Sequence, residues 1–246
     1  MNIYAISDLH ISLFNNSSPM EKYGDVWKNH LNKVQRNWED TVAPEDIVLL
    51  GGDTSLGNKL EDAKIDLNWL ENLPGKKVLV KGNHDFWWSS LKKLRSAFPK
   101  DFHFIQNDVM LIDDIAIGGS RLWSFPFVAW NISSGNNESL AWKYPKDDQK
   151  IRNKELSRLR FSLSKMPTDA KIKIALVHYP PIDENGTENI LTEIMSEFHI
   201  DLCVFGHLHN IQKPKFGSDC VIGNTRYVLS SCDWLECKLI KLYENV

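Results

Sequence analysis

The chain reads as an α/β protein, and three observations carry that reading. Through roughly the first hundred residues, short apolar runs rich in β-branched residues alternate with amphipathic helical stretches, the order that builds crossover units and a largely parallel sheet. A second group of short runs follows, separated by turn residues, as in an antiparallel section. Several runs end directly on a small set of polar residues, in the position where open sheets gather ligands.

Residues 2–7 form the first expected strand, followed at once by Asp8-Leu9-His10. Residues 11–24 are polar and loop-like, with Asn15-Asn16-Ser17-Ser18-Pro19 as a breaker. Trp27, Leu31, Val34 and Trp38 recur at helical spacing over residues 26–42, and Pro44 lies beyond the helix end. Residues 46–50 are the second strand, running into Gly51-Gly52-Asp53. Ala63, Leu67 and Leu70 mark a helix over 60–73, which stops at Pro74-Gly75. The third strand, 77–80, delivers the tetrapeptide Gly82-Asn83-His84-Asp85, and residues 87–98 read as a helix.

Residues 102–105, 109–112 and 115–117 are short runs with Asn107-Asp108 and Asp113-Asp114 as expected hairpin turns. Residues 120–145 are aromatic-rich without clear periodicity, a possible lid or insertion in a single 1–246 domain. Over 147–166 a charged amphipathic helix places Ile151, Leu156, Leu159 and Leu163 on one side. The strand 172–177 ends at His178, a helix spans 190–198, and the strand 201–205 ends at Gly206-His207-Leu208-His209. Val221, residues 226–229 and residues 238–242 read as closing strands.

The charged and apolar fractions are those of a soluble globular protein, with a formal net charge of -3. That charge argues against a general nucleic-acid coat. No stretch reaches the roughly 18 apolar residues of a membrane span, and the start lacks the layout of a signal peptide. A cytoplasmic protein is expected. Cys203, Cys220, Cys232 and Cys237 have no CxxC spacing and read as reduced thiols.

Asp8, His10, Asp53, Asn83, His84, His178, His207 and His209 all stand just past strand ends drawn from five strands. Five of the eight histidines are in that set, whereas His30, His103 and His199 fit no such pattern. Two divalent ions need about eight to ten donors between them. Asp53 suits a bridging carboxylate, with Asp8, His10 and His209 completing one site and Asn83, His178 and His207 the other. Imidazole mixed with oxygen ligands favours Mn, Fe, Co, Ni or Zn over Mg or Ca. Two dications, two carboxylates and one hydroxide leave about one net positive charge, suited to an anionic phosphate.

Asp8-x-His10, Gly52-Asp53, Gly82-Asn83-His84-Asp85, His178 and Gly206-His207-x-His209, in this order, resemble the signature of the calcineurin-like metallophosphoesterases. The resemblance implies a four-layer αββα sandwich, two mixed sheets flanked by helices, with a dimetal site at the carboxyl ends of strands. It implies metal-dependent hydrolysis of a phosphate ester by a bridging hydroxide. It makes His84 the non-ligand histidine that contacts substrate and protonates the leaving oxygen, with Asp85 holding its ring. The segment 82–94 is similar to an uncharacterised bacterial branch of the family. Asp53 is followed by Thr54-Ser55-Leu56-Gly57 rather than Asp-Arg, which disfavours a phosphoprotein phosphatase. His178-Tyr179-Pro180-Pro181 is more like the small-molecule phosphodiesterase branch. A nuclease for single strands and a catalytically silent scaffold are the alternatives.

Arg121, after a strand, offers a planar fork for a phosphate, with a salt bridge as the plain alternative. Trp87, Trp88, Trp123 and Trp130 either stack on substrate or pack a core or lid. Lys92, Lys93 and Arg95 read as a solvated helix face. The expected partner is a small phosphorylated substrate, with no nucleic acid and no membrane.

Overall fold

The computed structural model describes residues 1–130, 148–211 and 219–246. The aromatic stretch therefore falls partly outside the described residues, Trp142 included. The chain divides into two compact units, Met1–Phe104 with Ser230–Val246, and Ile105–Leu229. The α/β class with two mixed sheets flanked by helices is present.

The first unit runs β1 (Ile3–Ala5), α1 (His30–Thr41), β2 (Ile47–Leu50), α2 (Leu60–Glu71), β3 (Lys76–Val80), α3 (Leu91–Ala97) and β4 (Phe102–Ile105). The first three strands are parallel, Ile3 beside Ile47 and Leu49 beside Val78. Val34 and Trp38 on α1 and Ala63, Leu67 and Leu70 on α2 join Tyr4, Val48, Leu50 and Leu79 in one buried cluster. Helical spacing puts each set on one face. α1 starts later than the periodicity suggests because Asn29 adopts φ 53, and Trp27 is buried from a separate short 3-10 turn. α3 also starts late. Trp87 and Trp88 are both buried, packing with Phe104, and adjacent residues do not share a helix face.

The second unit holds β5 (Val109–Ile112), β6 (Ile115–Ser120), α4 (Gln149–Leu163), β7 (Ile172–Val177), α5 (Ile190–Glu197), β8 (Leu202–Phe205), β9 (Asp219–Ile222) and β10 (Thr225–Leu229). Its sheet has the order β5-β6-β7-β8-β10-β9. The four inner strands run parallel, and β5 and β9 close the edges antiparallel. β11 (Ile240–Tyr243) returns to the first sheet, antiparallel to β1, in the order β11-β1-β2-β3-β4.

Two expectations need correction. Asp113-Asp114 does turn a hairpin, but Asn107-Asp108 does not, since β4 and β5 belong to different sheets. Phe102 and Phe104 commit β4 to the aromatic cluster of the first unit, and tertiary packing overrides the local turn signal. On α4 the buried face carries Arg152, Glu155, Leu159, Ser162 and Leu163, whereas Ile151 and Leu156 are half-buried.

Gly119 of β6 has a measurable consequence. A Cβ there would lie 1.7 Å from the Leu176 carbonyl oxygen of β7, and its N–H donates to Ser162 Oγ of α4 at 2.8 Å. Gly119→Ala is expected to cost about 1–3 kcal/mol or more through overpacking, read as a lower urea midpoint at unchanged slope.

Candidate metal centre

In the first unit the loops after β1 and β2 are bonded to each other along their length. The N–H groups of Asp8, His10 and Ile11 donate to the carbonyls of Gly52, Asp53 and Thr54, each at 3.0 Å. Asp8, His10 and Asp53 have φ of 59, 46 and 50°. Such backbone costs on the order of 1–3 kcal/mol per residue and persists where the surroundings fix it. Both carboxylates are buried. Ser231 Oγ donates to Asp8 Oδ2 at 2.9 Å, and an Asp8 oxygen and a His10 ring nitrogen lie within 4.8 Å. His10 Nε2 is 4.0 Å from Asp53 Oδ2. That is too long for a hydrogen bond and falls within the span of about 3 to 4.2 Å open to two donors of one cation.

The corner after β3 is held against Asp53 by its backbone. The N–H of His84 donates to Asp53 Oδ1 at 2.7 Å. A Cβ on Gly82 would lie 2.0 Å from that same oxygen, so only glycine permits the approach. Asn83 is half-buried and His84 is exposed, its ring centroid 5.6 Å from that of His10.

Asp85 holds more than was expected of it. Its buried carboxylate accepts from the N–H groups of Asp53 (2.9 Å), Thr54 (2.9 Å), Ser55 (3.2 Å) and Gly82 (2.7 Å) and from Trp87 Nε1 (3.0 Å). Rather than the ring contact with His84 that the resemblance implies, these bonds give Asp85 a positioning role, fastening the Asp53 loop to the β3 corner. Asp85→Asn swaps one acceptor oxygen for a donor and sets it against at least two of these N–H groups. A loss of about 2–6 kcal/mol is expected in chemical unfolding, from two buried donors at about 1–3 kcal/mol each.

In the second unit β6, β7 and β8 end side by side on Arg121, His178 and Gly206-His207. Gly206 N–H donates to the His178 carbonyl at 3.1 Å, and Tyr179 N–H to that of Arg121 at 3.0 Å. His178 Nε2 and His207 Nδ1 lie 3.1 Å apart, as two ring nitrogens turned toward one point do. His207 has φ 72°, the Tyr179 ring lies 4.1 Å from it between centroids, and His209 is half-buried. Arg121 Nη2 reaches Glu155 Oε1 at 3.4 Å. Carboxylate, imidazole and amide donors of this kind fit divalent transition metals, and such ions offset the cost of burying Asp8 and Asp53.

The sequence profile of the calcineurin-like phosphoesterases matches residues 1–210. The chain belongs to that family. Two curated relatives are the Gene 66 proteins of Mycobacterium phages D29 and L5. The first is 38% identical over 85 residues and the second 31% over 84. Each match spans 34% of this chain and 40% of the relative. Among solved structures, phosphopantetheinyl hydrolase from Mycobacterium tuberculosis aligns with a TM-score of 0.54 at 13% identity. A protein of unknown function from Aquifex aeolicus aligns with 0.50 at 18%. Both alignments cover 98% of this chain and 95% of the other, and at these identities they speak for the fold.

This calcineurin-like chain also uses residues that motif reading passes over. Ser231 follows β10 as Asp8 follows β1, so the strand-end pattern was there to be read. His30 lies on α1, where its Nε2 meets the Leu9 carbonyl at 2.9 Å and its Nδ1 the Trp27 carbonyl at 3.2 Å. Burial pushes its imidazole below the ordinary value. Asp66, on the buried face of α2, accepts from Leu13 N–H, Phe14 N–H and Ser55 Oγ, and burial raises its carboxyl above the usual range. Neither shows a signal beyond a polar residue at an apolar register. Trp87, Trp88 and Trp130 are core residues, and Lys92, Lys93 and Arg95 are exposed. Among the described residues no helix is long and apolar enough to cross a membrane, and all four cysteines are free and buried.

Proposed function

We propose that this chain is a dinuclear metal-dependent phosphohydrolase that cleaves a phosphate ester of a small molecule. The observation that carries the reading is the contrast in burial around one corner of the first unit. Asp8, His10 and Asp53 are buried and fixed by backbone bonds, while His84 beside them is exposed.

By the family pattern, Asp8, His10 and His209 would hold one ion and Asn83, His178 and His207 the other, with Asp53 as a ligand common to both. Bound divalent ions lower the pKa of a bound water and neutralise charge on the phosphoryl oxygens. His84 contacts the ester and passes a proton to the leaving oxygen, Asn83 binds the phosphoryl group, and Arg121 binds an anionic group of the same substrate. Ser231 holds the Asp8 carboxylate, the His84 N–H holds that of Asp53, and Asp85 fixes the loop that carries Asp53. Imidazole-rich donors favour manganese, iron, cobalt, nickel or zinc. The four free thiols support a cytoplasmic setting.

Metal analysis of the purified chain, followed by turnover of phosphate monoesters, diesters and nucleotides, tests the proposal. About two equivalents of metal and turnover that stops with chelator are expected. A chain that binds neither manganese nor zinc, or that turns over none of the panel when loaded, removes it.

A further inference from the structure

Arg152 is anomalous for a guanidinium. It lies in the second turn of α4 with 7% of its surface exposed, and its Nη1 is buried without a hydrogen-bond partner. A buried cation without a partner is costly, and natural proteins hold one where an anion joins it.

The helix register places it. One turn before Arg152, the Asp148 carboxylate accepts from Trp123 Nε1 at 2.8 Å, and three residues after it Glu155 receives Arg121. Residues three and four apart on a helix are neighbours, so Arg152 is bracketed between the contacts to Trp123 and to Arg121. The Arg121 guanidinium itself lies 4.4 Å over the Trp123 ring, and its Nε is also buried without a partner. Leu122, the next residue, is a buried leucine at φ 58°, a strained turn that presents Arg121 at the end of β6. Glu155 is already engaged by Arg158 Nη1 at 2.6 Å. Glu155 thus serves two guanidinium groups and Asp148 an indole, and two buried N–H donors, Arg121 Nε and Arg152 Nη1, are left over.

We infer that Arg121 and Arg152 form a binding site for a tetrahedral oxyanion, filled by a second phosphate group of the substrate. Arginine forks match phosphate oxygens in pairs, and the Trp123 face sets the plane of one fork. Arg121 is bonded through its carbonyl to Tyr179, which follows His178, so the site lies at the same strand ends as the second unit's imidazoles. Resting on the phosphohydrolase reading, the inference narrows the substrate to a phosphoester carrying another phosphate group.

Arg152→Met tests it with two probes. Inorganic phosphate titrated into the chelator-treated full chain should raise the melting temperature of the native protein, and that rise should be lost in the variant. Without phosphate the variant should melt at the same temperature as the native chain or higher, because an unpaired buried charge has gone. In the metal-loaded enzyme, inhibition by pyrophosphate should weaken roughly tenfold to a hundredfold while inhibition by orthophosphate is unchanged. Arg121→Met should lose the phosphate-induced rise as well. An equal response to phosphate in native and variant chains overturns the site, and so does a variant that melts well below the native chain in buffer alone. Absent metal and turnover would sink the hydrolase reading, yet the titration of the chelated chain would still decide for or against the arginine pair.

Discussion

Asp53→Asn is expected to reduce bound metal from about two equivalents to less than one and to cut phosphoester hydrolysis about 10³-fold or more. The ions supply several kcal/mol of charge stabilisation, and each factor of ten in rate corresponds to about 1.4 kcal/mol. Asp53 already commits Oδ1 to the His84 N–H at 2.7 Å and turns Oδ2 toward His10. Asparagine offers one oxygen where two are used. With its amide nitrogen at the Oδ1 position, two donors oppose each other at the β3 corner; at the Oδ2 position, a donor faces His10 where a ligand is needed. Either way one side of the residue stops working. The backbone bonds of the loop, to Asp85 and to Asp8 and His10, do not involve the Asp53 side chain, so the variant should remain folded. Metal content by mass spectrometry, alongside an unfolding curve, separates these effects. Native metal content with native turnover would end the assignment of Asp53 as the shared ligand.

The contrast between Asp53 and Asp85 explains how much of the site could be read from the chain alone. Asp8, Asp53, His178 and His207 lie just past the ends of apolar runs, so strand periodicity and the position of the polar residue suffice to find them. Their neighbours in chain order supply the loop, and that is local information. Asp85 works through Asp53, Thr54 and Ser55, some thirty residues earlier, and no local pattern announces such a bond. Asp66 and His30 are hidden for the same reason, each a polar residue on an inward helical face bonded to a loop remote in the chain, Leu13-Phe14 for Asp66 and Leu9 for His30. The α4 face was misread because Ile151 and Leu156 are apolar by type, whereas Arg152 and Glu155 are what the packing buries. The hairpin assigned to Asn107-Asp108 failed because turn chemistry is local and the choice of sheet is not. The parallel strand-helix order was legible because each crossover repeats one period change.

His84→Ala is expected to leave metal binding intact and to slow hydrolysis according to the leaving group. The link from this residue to Asp53 is made by its backbone N–H, which alanine keeps, so the Asp53 carboxylate should hold its place. What disappears is an exposed imidazole flanked by Phe86 and standing over His10. A proton delivered to the departing oxygen contributes about 10²–10⁴ in rate, and that is the loss expected for an alkyl phosphoester. A nitrophenyl ester leaves as a stable anion and needs little protonation, so its loss should be much smaller. The ratio of the two losses, measured on one preparation with its metal content determined, isolates proton transfer from metal binding. A purely structural role for His84 would slow both esters alike, and an alkyl ester hydrolysed at the native rate would leave the residue without the part given to it. Because the backbone anchor and the imidazole belong to the same residue, this variant asks whether the corner exists to hold Asp53 or also to donate a proton.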